Sequence, residues 1–525
     1  MTDAGRSMHT RTRPAWSEIV TLGALALACL LLVPKVIGTA RYDAAILRFP
    51  FQVDDAEGVV LAEARLIADG TDPYAYQPSP APYFYAGPYT PFYTLLNSAA
   101  MAVSGPSFKF GRAVQLLATL AVAAWLVWAV RRTGATRRGW LVGGWVALLF
   151  VSAHLVVVWS VRVRPDMTAL AWNLLGVAVL RAWLDPIERA SWRAGAWPRG
   201  GVVERLALGA ACFALGWWTK QTFVAVPVAF LLGIAFSRPK VAVTLGGLYT
   251  AMIATPFALL TLLTRGGFAQ KTIGYQGSWQ WAAFLRLAQP LLARYGWWLC
   301  LAVIAGCALC AQRRRVPFAV CWFVLSAAFA LGAGTSGGNH NHFVELLAAA
   351  SLLVGQAVVT LIDRRPQRMG AARVWIAPAV AVAVVAFSVV ALVEREGTTG
   401  WLARDYRAPT ASELDGYAAV AAYIANSPGP VYSTNVGILV VTGQPVRVTD
   451  PFTMATEVRL GRWDDASLVA DVEAGRYPLI ALSYNDVASL DPDLPPTDAT
   501  PGLIRAIQTR YRLIERNVLR LYVPK

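Results

Sequence analysis

Charge is what this 525-residue chain has least of: 15% of its residues are Asp, Glu, Lys or Arg, against 56% hydrophobic ones. Soluble domains carry about 25% charged residues, so an ordinary water-soluble globule is excluded. A nucleic-acid binder is excluded with it, because the 47 Lys and Arg come as short clusters between apolar runs, not as patches on a polar domain. Acidic residues are scarcer still over the first 393 positions, which hold 15 of them against 34 basic ones. The last 132 residues reverse the balance, with 16 acidic and 13 basic. The composition divides the chain into a membrane domain, residues 1–393, and a mildly acidic soluble domain, residues 394–525.

Cysteine is equally sparse. All six (Cys29, Cys212, Cys300, Cys307, Cys310 and Cys321) lie in apolar stretches, which excludes an extracytoplasmic disulfide framework. Cys307 and Cys310 form a CxxC among Ala, Gly and Leu, with no second pair and no nearby His, and are read as packing residues. No internal repeat is present, which argues against an inverted-repeat transporter.

What the chain has in quantity is long apolar runs. A bilayer core needs about 20 mostly apolar residues per helix. Eleven segments qualify, near 19–40, 112–130, 139–157, 166–184, 202–219, 221–237, 241–264, 291–311, 316–334, 343–361 and 374–393. With eleven spans, the Arg clusters at 131–138, 181–205, 238–240, 313–315 and 364–373 share one side with the N-terminus, the cytoplasm by the positive-inside rule. The opposite side then holds a first loop over 41–111, short loops near 158–165 and 220, a loop near 265–290, residues 335–342 and the tail. The apolar segment 91–104 is too short to span and is expected to lie at the membrane without crossing. In the tail, spacing predicts helices over 412–425 and 464–475, strands at 431–433, 438–442, 479–482 and 519–523, and a Pro/Asp/Thr-rich loop over 491–501.

Polar chemistry collects in four places. Six of the 15 early acids fall within 19 positions of the first loop: Asp54, Asp55, Glu57, Glu63, Asp69 and Asp72. On a helix Asp54 and Glu57 share a face, with Asp55 about 100° round. Carboxylates crowded like this have at least one raised pKa, which makes a general base, unless they merely complement a helix dipole. The second place is Arg162-Val163-Arg164-Pro165-Asp166, where arginines suit phosphate oxygens and an Arg–Asp pair between helix ends is the plainer alternative. The third is Lys220-Gln221, against the charge bias; Arg265 and Lys271 further on are read as headgroup-snorkelling cations. The fourth, Asn339-His340-Asn341-His342 with Glu345 beyond, offers amides and imidazoles suited to sugar hydroxyls. Aromatics crowd the first loop, Tyr89 among them. Two carboxylates and Glu57 could bind a divalent cation, and no other cofactor is called for.

The order of these motifs resembles a known pattern. A single span, Asp54-Asp55-x-Glu57-Gly58, Arg65 to Tyr74, Tyr85-x-Gly87-Pro88-Tyr89-x-Pro91-x-Tyr93, Gly111-Arg112, Arg164-Pro165-Asp166-Met167 and Thr219-Lys220-Gln221-Thr222 together resemble the GT-C superfamily of integral-membrane glycosyltransferases, in its protein-mannosyltransferase/aminoarabinose-transferase-like branch. The similarity covers roughly residues 16–360. It implies an α-helical polytopic membrane protein with a small extracytoplasmic α/β C-terminal domain. It also implies a sugar carried on a polyprenyl-phosphate lipid and transferred with inversion to a cell-envelope glycan, lipid or protein. Carried over, Asp55 is the first choice for the catalytic acid position, with Asp54 and Glu57 beside it. Arg164, Lys220 and Arg162 would hold the donor phosphate. Asp166, Gln221, Tyr89, Asn339, His340 and His342 would shape the sugar or acceptor pocket. A composition rich in Ala, Arg, Val and Gly points to a high-GC bacterium, hence to its inner membrane. The rival reading is a non-enzymatic transporter or scaffold for lipid-linked glycans, which an ionisable group halfway along a span would favour.

Overall fold

The apolar runs become helices because a backbone in lipid must satisfy its own hydrogen bonds. A computed structural model describes residues 16–134, 137–190, 201–275, 277–312, 316–363, 376–393, 407–483, 498–516 and 518–525. The expected boundary at 393/394, the Arg clusters at 313–315 and 364–373, and the 491–497 part of the Pro/Asp/Thr-rich loop lie outside the described residues.

Helix α1 (Trp16–Arg48) precedes the first loop, which carries α2 (Asp55–Ala68) and α3 (Phe92–Ser104). Next come α4 (Lys109–Arg131), α5 (Arg137–Ser152), α6 (His154–Ser160), α7 (Asp166–Ala190) and α8 (Val202–Thr219). The membrane domain continues through α9 (Ala225–Ala235), α10 (Pro239–Leu263), α11 (Trp281–Gln312), α12 (Phe318–Ala330), α13 (Val344–Ile362) and α14 (Ile376–Val393). Among the described residues, α1, α4, α10, α11 and the run His340–Ile362 are long and apolar enough to cross a membrane. The pair α5 and α6 makes a sixth candidate, bent by 68°.

Two of the eleven expected spans are much shorter helices. The 221–237 segment yields α9, 11 residues, because the chain turns at 220–224 before it can wind. The 316–334 segment yields α12, 13 residues, followed by a 3-10 turn. At about 1.5 Å per residue both fall short of the roughly 30 Å hydrocarbon core. Helix α3, also 13 residues, is the short segment expected not to cross.

The expected straight span over 139–157 is instead broken at Ser152–Ala153, and this break positions the site. Helix α6, buried along its whole length, turns the chain so that residues 161–165 return beneath the first loop. The amide of Leu155, freed at the break, donates to the Tyr295 hydroxyl at 3.2 Å. Gln115 of α4 accepts from the amides of Met167 and Thr168, fixing where α7 begins and hence where Asp166 stands.

The tail is an α/β domain whose four-stranded sheet runs in the order β1-β2-β4-β3, with β1 (Val431–Ser433), β2 (Leu479–Leu482), β3 (Tyr511–Arg516) and β4 (Arg520–Pro524). Only β1 and β2 are parallel. Its helices are α15 (Ala411–Ala425), α16 (Val436–Val441), α17 (Pro451–Arg459), α18 (Ala466–Glu473) and α19 (Pro501–Arg510). Segment 438–442, expected as a strand, belongs to α16. The Asn435 side chain accepts from the Ile438 amide and starts a helix, and the four-residue apolar run 438–441 fits either structure. Strand β3 is an element the sequence did not announce.

The first loop completes the tail's core. Alternation in β2 sends Leu479 and Ala481 to one face, where Phe49 and Phe51 pack, and Ile480 and Leu482 to the other, where Ala81, Phe84 and Ala86 pack. Phe84 also bridges to Val448, through Phe84 N–H to Arg447 O at 2.7 Å and Thr449 N–H to Phe84 O at 2.9 Å. Helix α16 crosses α2 where two glycines meet. A Cβ on Gly58 would stand 2.7 Å from the Gly437 nitrogen, and one on Gly437 would stand 2.6 Å from Phe108 Cζ. Substituting alanine at Gly437 is therefore expected to destabilise the docked tail by about 1–3 kcal/mol. Earlier proteolytic loss of the tail than in wild type, under identical digestion, checks this.

Candidate active site

Asp54, Asp55 and Glu57 do not share one face. Asp54 lies outside the helix with extended backbone (φ −148°, ψ 138°), and its carboxylate caps α2 by accepting from the Ala56 amide. The three carboxylates then splay in three directions.

Glu57 points inward and is fully buried, as is Arg112. Arg112 donates from Nε to Oε1 at 2.8 Å and from Nη2 to Oε2 at 2.7 Å, a bidentate fork. The amides of Val163 and Val53 supply two more donors to Glu57, each at 2.8 Å. Arg112 further donates to the carbonyls of Ile46, Phe49 and Phe51. Glu57, expected beside the reacting groups, is thus a structural anchor in this geometry, and Arg112 is the partner that spacing did not reveal.

Asp54 points toward the returning 161–165 segment. Its Oδ2 accepts from Arg162 Nη1 at 2.8 Å, and Arg164 Nε lies 2.9 Å from Oδ1. Both guanidiniums stack on Trp159, at 5.2 and 4.7 Å from its ring centroid. Burial opposes ionisation of Asp54, but Arg164 and Arg162 outweigh it and hold the carboxyl below the usual carboxylate range. The arginines therefore form their ion pairs with Asp54, whereas the plainer alternative set them against Asp166.

Asp166 pairs with Lys220 instead, Nζ to Oδ1 at 2.6 Å, and the same oxygen accepts from Asn341 Nδ2 at 2.7 Å. Lys220 lies 5.7 Å from the centroids of Tyr89 and Phe223. His342 lies within electrostatic reach of Lys220, Asp166 and Arg164. Of the other expected pocket residues, Gln221 clamps two loops by donating to Pro88 O and Thr272 O. Asn339 caps the turn by accepting from the His340 amide, and His340 is buried near Phe343. Asn341, quoted in the motif but given no role, is the amide that reaches the charges.

Asp55 is the most exposed of the three and opens onto a cleft. This cleft, about 290 Å³, lies between the end of α1, the start of α2 and the tail, and also borders Asp54, Arg162, Arg407, Glu413 and Asn435. Gln52 Nε2 donates to Asp55 Oδ1 at 3.3 Å. The side chain is exposed at that opening. Desolvation by the protein packed around its base, with Asp498, Asp54 and Asp450 nearby and Arg164 opposing, pushes the carboxyl up to about 7. Asp450, the N-cap of α17, is a tail residue that sequence reasoning passed over. It is brought near Asp55, Glu63, Tyr89 and Arg164 by the bridge at Phe84.

Lys271 overturns its snorkelling reading. It is buried on a π-helical turn, Gln270–Gly274, and donates to Pro73 O at 2.7 Å, near Glu63 and Asp72. Among the described residues no three His, Cys, Asp or Glu side chains gather closely enough to hold a metal ion.

The site thus sets three cations, Arg162, Arg164 and Lys220, against two carboxylates, Asp54 and Asp166, next to a third carboxyl poised near neutrality.

No sequence-family profile and no curated protein matches the chain. Among solved structures it is similar to ArnT from Cupriavidus metallidurans bound to undecaprenyl phosphate, with a TM-score of 0.56 and 14% identity over 97% of this chain and 98% of that one. It is also similar to the apo form of the Archaeoglobus fulgidus oligosaccharyltransferase, with a TM-score of 0.54 and 11% identity over 97% of this chain and 74% of that one. Both are GT-C glycosyltransferases. The chain has their fold, a polytopic helical membrane domain with a small C-terminal α/β domain.

Proposed function

We propose that the chain is an inverting glycosyltransferase that moves a sugar from a polyprenyl-phosphate carrier to a cell-envelope acceptor outside the cytoplasm. One observation carries this reading: Asp55, near neutrality, opens onto a cleft while the adjacent Asp54 is neutralised by Arg162 and Arg164. Asp55 takes the acceptor's proton as the acceptor oxygen or nitrogen attacks the anomeric carbon. The bond from that carbon to the phosphate oxygen breaks, and the phosphate keeps the electron pair. A single displacement of this kind inverts the anomeric centre. Arg164 and Lys220 stabilise the charge that develops on the departing phosphate. Asp166 and Asn341 orient Lys220, and Tyr89 walls it. Glu57 and Arg112 hold the loop and touch no substrate. The positive-inside reading of the Arg clusters supports a site facing away from the cytoplasm of a bacterial inner membrane.

Transfer from a radiolabelled polyprenyl-phosphate sugar in solubilised membranes tests the reading. Label is expected to pass to a new acceptor with wild type. Arg164→Gln, in which Asp54 keeps Arg162, is expected to lower kcat about 10²–10³-fold. No transfer from any of several donors, with lipid binding intact, would establish a transporter or scaffold for lipid-linked glycans instead.

A further inference from the structure

The cleft at Asp55 is built half by the membrane domain and half by the tail. Arg407, Glu413 and Tyr417 line it from the start of α15, and Asn435 and Ser483 from the ends of β1 and β2. Tyr417 stacks on Phe51, with centroids 5.3 Å apart at 22°, and meets Phe49 edge-on. It lies within electrostatic reach of Asp55. Arg407 and Glu413 pair across the rim.

We propose that this cleft takes a neutral carbohydrate as the acceptor, held by Arg407, Glu413 and Tyr417 of the tail with a hydroxyl directed at Asp55. The inference rests on the transfer reading above and names its acceptor class. Three features select a sugar. The lining alternates guanidiniums (Arg162, Arg407) with carboxylates (Asp54, Asp55, Glu413), an amide and hydroxyls, so donors and acceptors are interspersed. A hydroxyl is both donor and acceptor and fits such a wall from either side. The guanidiniums and carboxylates nearly balance, which leaves little net field to attract a phosphate or an ammonium group. Phe49 and Tyr417, the latter backed by Phe51, add aromatic ring edges to the same cleft, suited to the C–H groups of a sugar ring. A lipid chain has a more apolar alternative in the cavity of about 430 Å³ bordered by Ile67, Tyr74, Leu95, Leu260 and Phe268.

The test uses the full-length protein in nanodiscs, with equilibrium binding of short neutral pentose and hexose oligosaccharides measured without donor. Wild type is expected to bind at least one of them. Arg407→Ala is expected to weaken that binding at least about tenfold, the loss of one charge-assisted hydrogen bond. Tyr417→Phe, which keeps the stacking, and Ser483→Trp, which fills the cleft, are expected to weaken it too. With donor present, the acceptor KM of Arg407→Ala should rise by the same factor while kcat stays within about twofold. Failure of every oligosaccharide to bind, or binding untouched by all three variants, overturns the proposal. So does transfer to a peptide or an acylated lipid but to no sugar. Saccharide binding that the variants abolish, in a protein that transfers nothing, would sustain the cleft assignment and bring down the transferase reading alone.

Discussion

Asp55→Asn is expected to reduce kcat about 10²–10⁴-fold, the range lost with a general base, while leaving expression and thermal stability near wild type. The side chain makes one long hydrogen bond, from Gln52, which an Asn carbonyl still accepts. The pH profile separates loss of a base from loss of shape. A base works only as the carboxylate, and desolvation with Asp498 and Asp54 close by raises this carboxyl to about 7. Wild-type kcat/KM should therefore fall with unit slope as pH drops below about 7 and level off above it. The residual activity of Asp55→Asn should show no such limb. A variant profile that keeps the wild-type limb would assign the titration to another group and remove Asp55 from the base role.

Glu57→Gln should act through the opposite channel, removing the protein rather than its chemistry. Glu57 and Arg112 are both fully buried, and among the described residues the carboxylate is the charge that pairs with that guanidinium. Removing one partner of such a pair costs about 3–5 kcal/mol, because the other charge is left buried. Arg112→Leu should be at least as damaging, since it also strips a donor from the Ile46, Phe49 and Phe51 carbonyls. Combining the two substitutions should recover only part of the loss. The double variant cures the charge imbalance but leaves those carbonyls without their donor, and it leaves one of the Val53 and Val163 amides without an acceptor, because glutamine keeps a single acceptor oxygen. Melting temperature and yield in detergent measure all three. A Glu57→Gln protein with wild-type stability and no activity would return Glu57 to the reacting groups.

The opposite fates of these two neighbours, two positions apart, are not written in their spacing. A helical period places Asp54 and Glu57 together, but it presumes that the helix includes Asp54, and the extended backbone there breaks the premise. What separates the three carboxylates is distance along the chain. Arg112 meets Glu57 across 55 positions, and Arg162 meets Asp54 across 108. The cluster at Asn339–His342 was located, yet the residue within it that reaches the charges is Asn341, through Asp166, 175 positions away. Lys271 looked like a surface cation because nothing local hinted at a π-helical turn that buries it.

By itself the sequence determined the membrane class, the α/β character of the tail and the short segment before α4, and it singled out four stretches rich in polar residues. Those follow from composition and hydropathy, which act over a single span and need no knowledge of neighbours. Only the tertiary structure decided the break between α5 and α6 that brings Arg162 and Arg164 under the first loop. It also decided the marriage of Phe49, Phe51 and Phe84 with the tail sheet and the pairing that ties Asp54 to two arginines and Glu57 to Arg112. A buried charge is defined by the partner that compensates it, and here each partner arrives from another element.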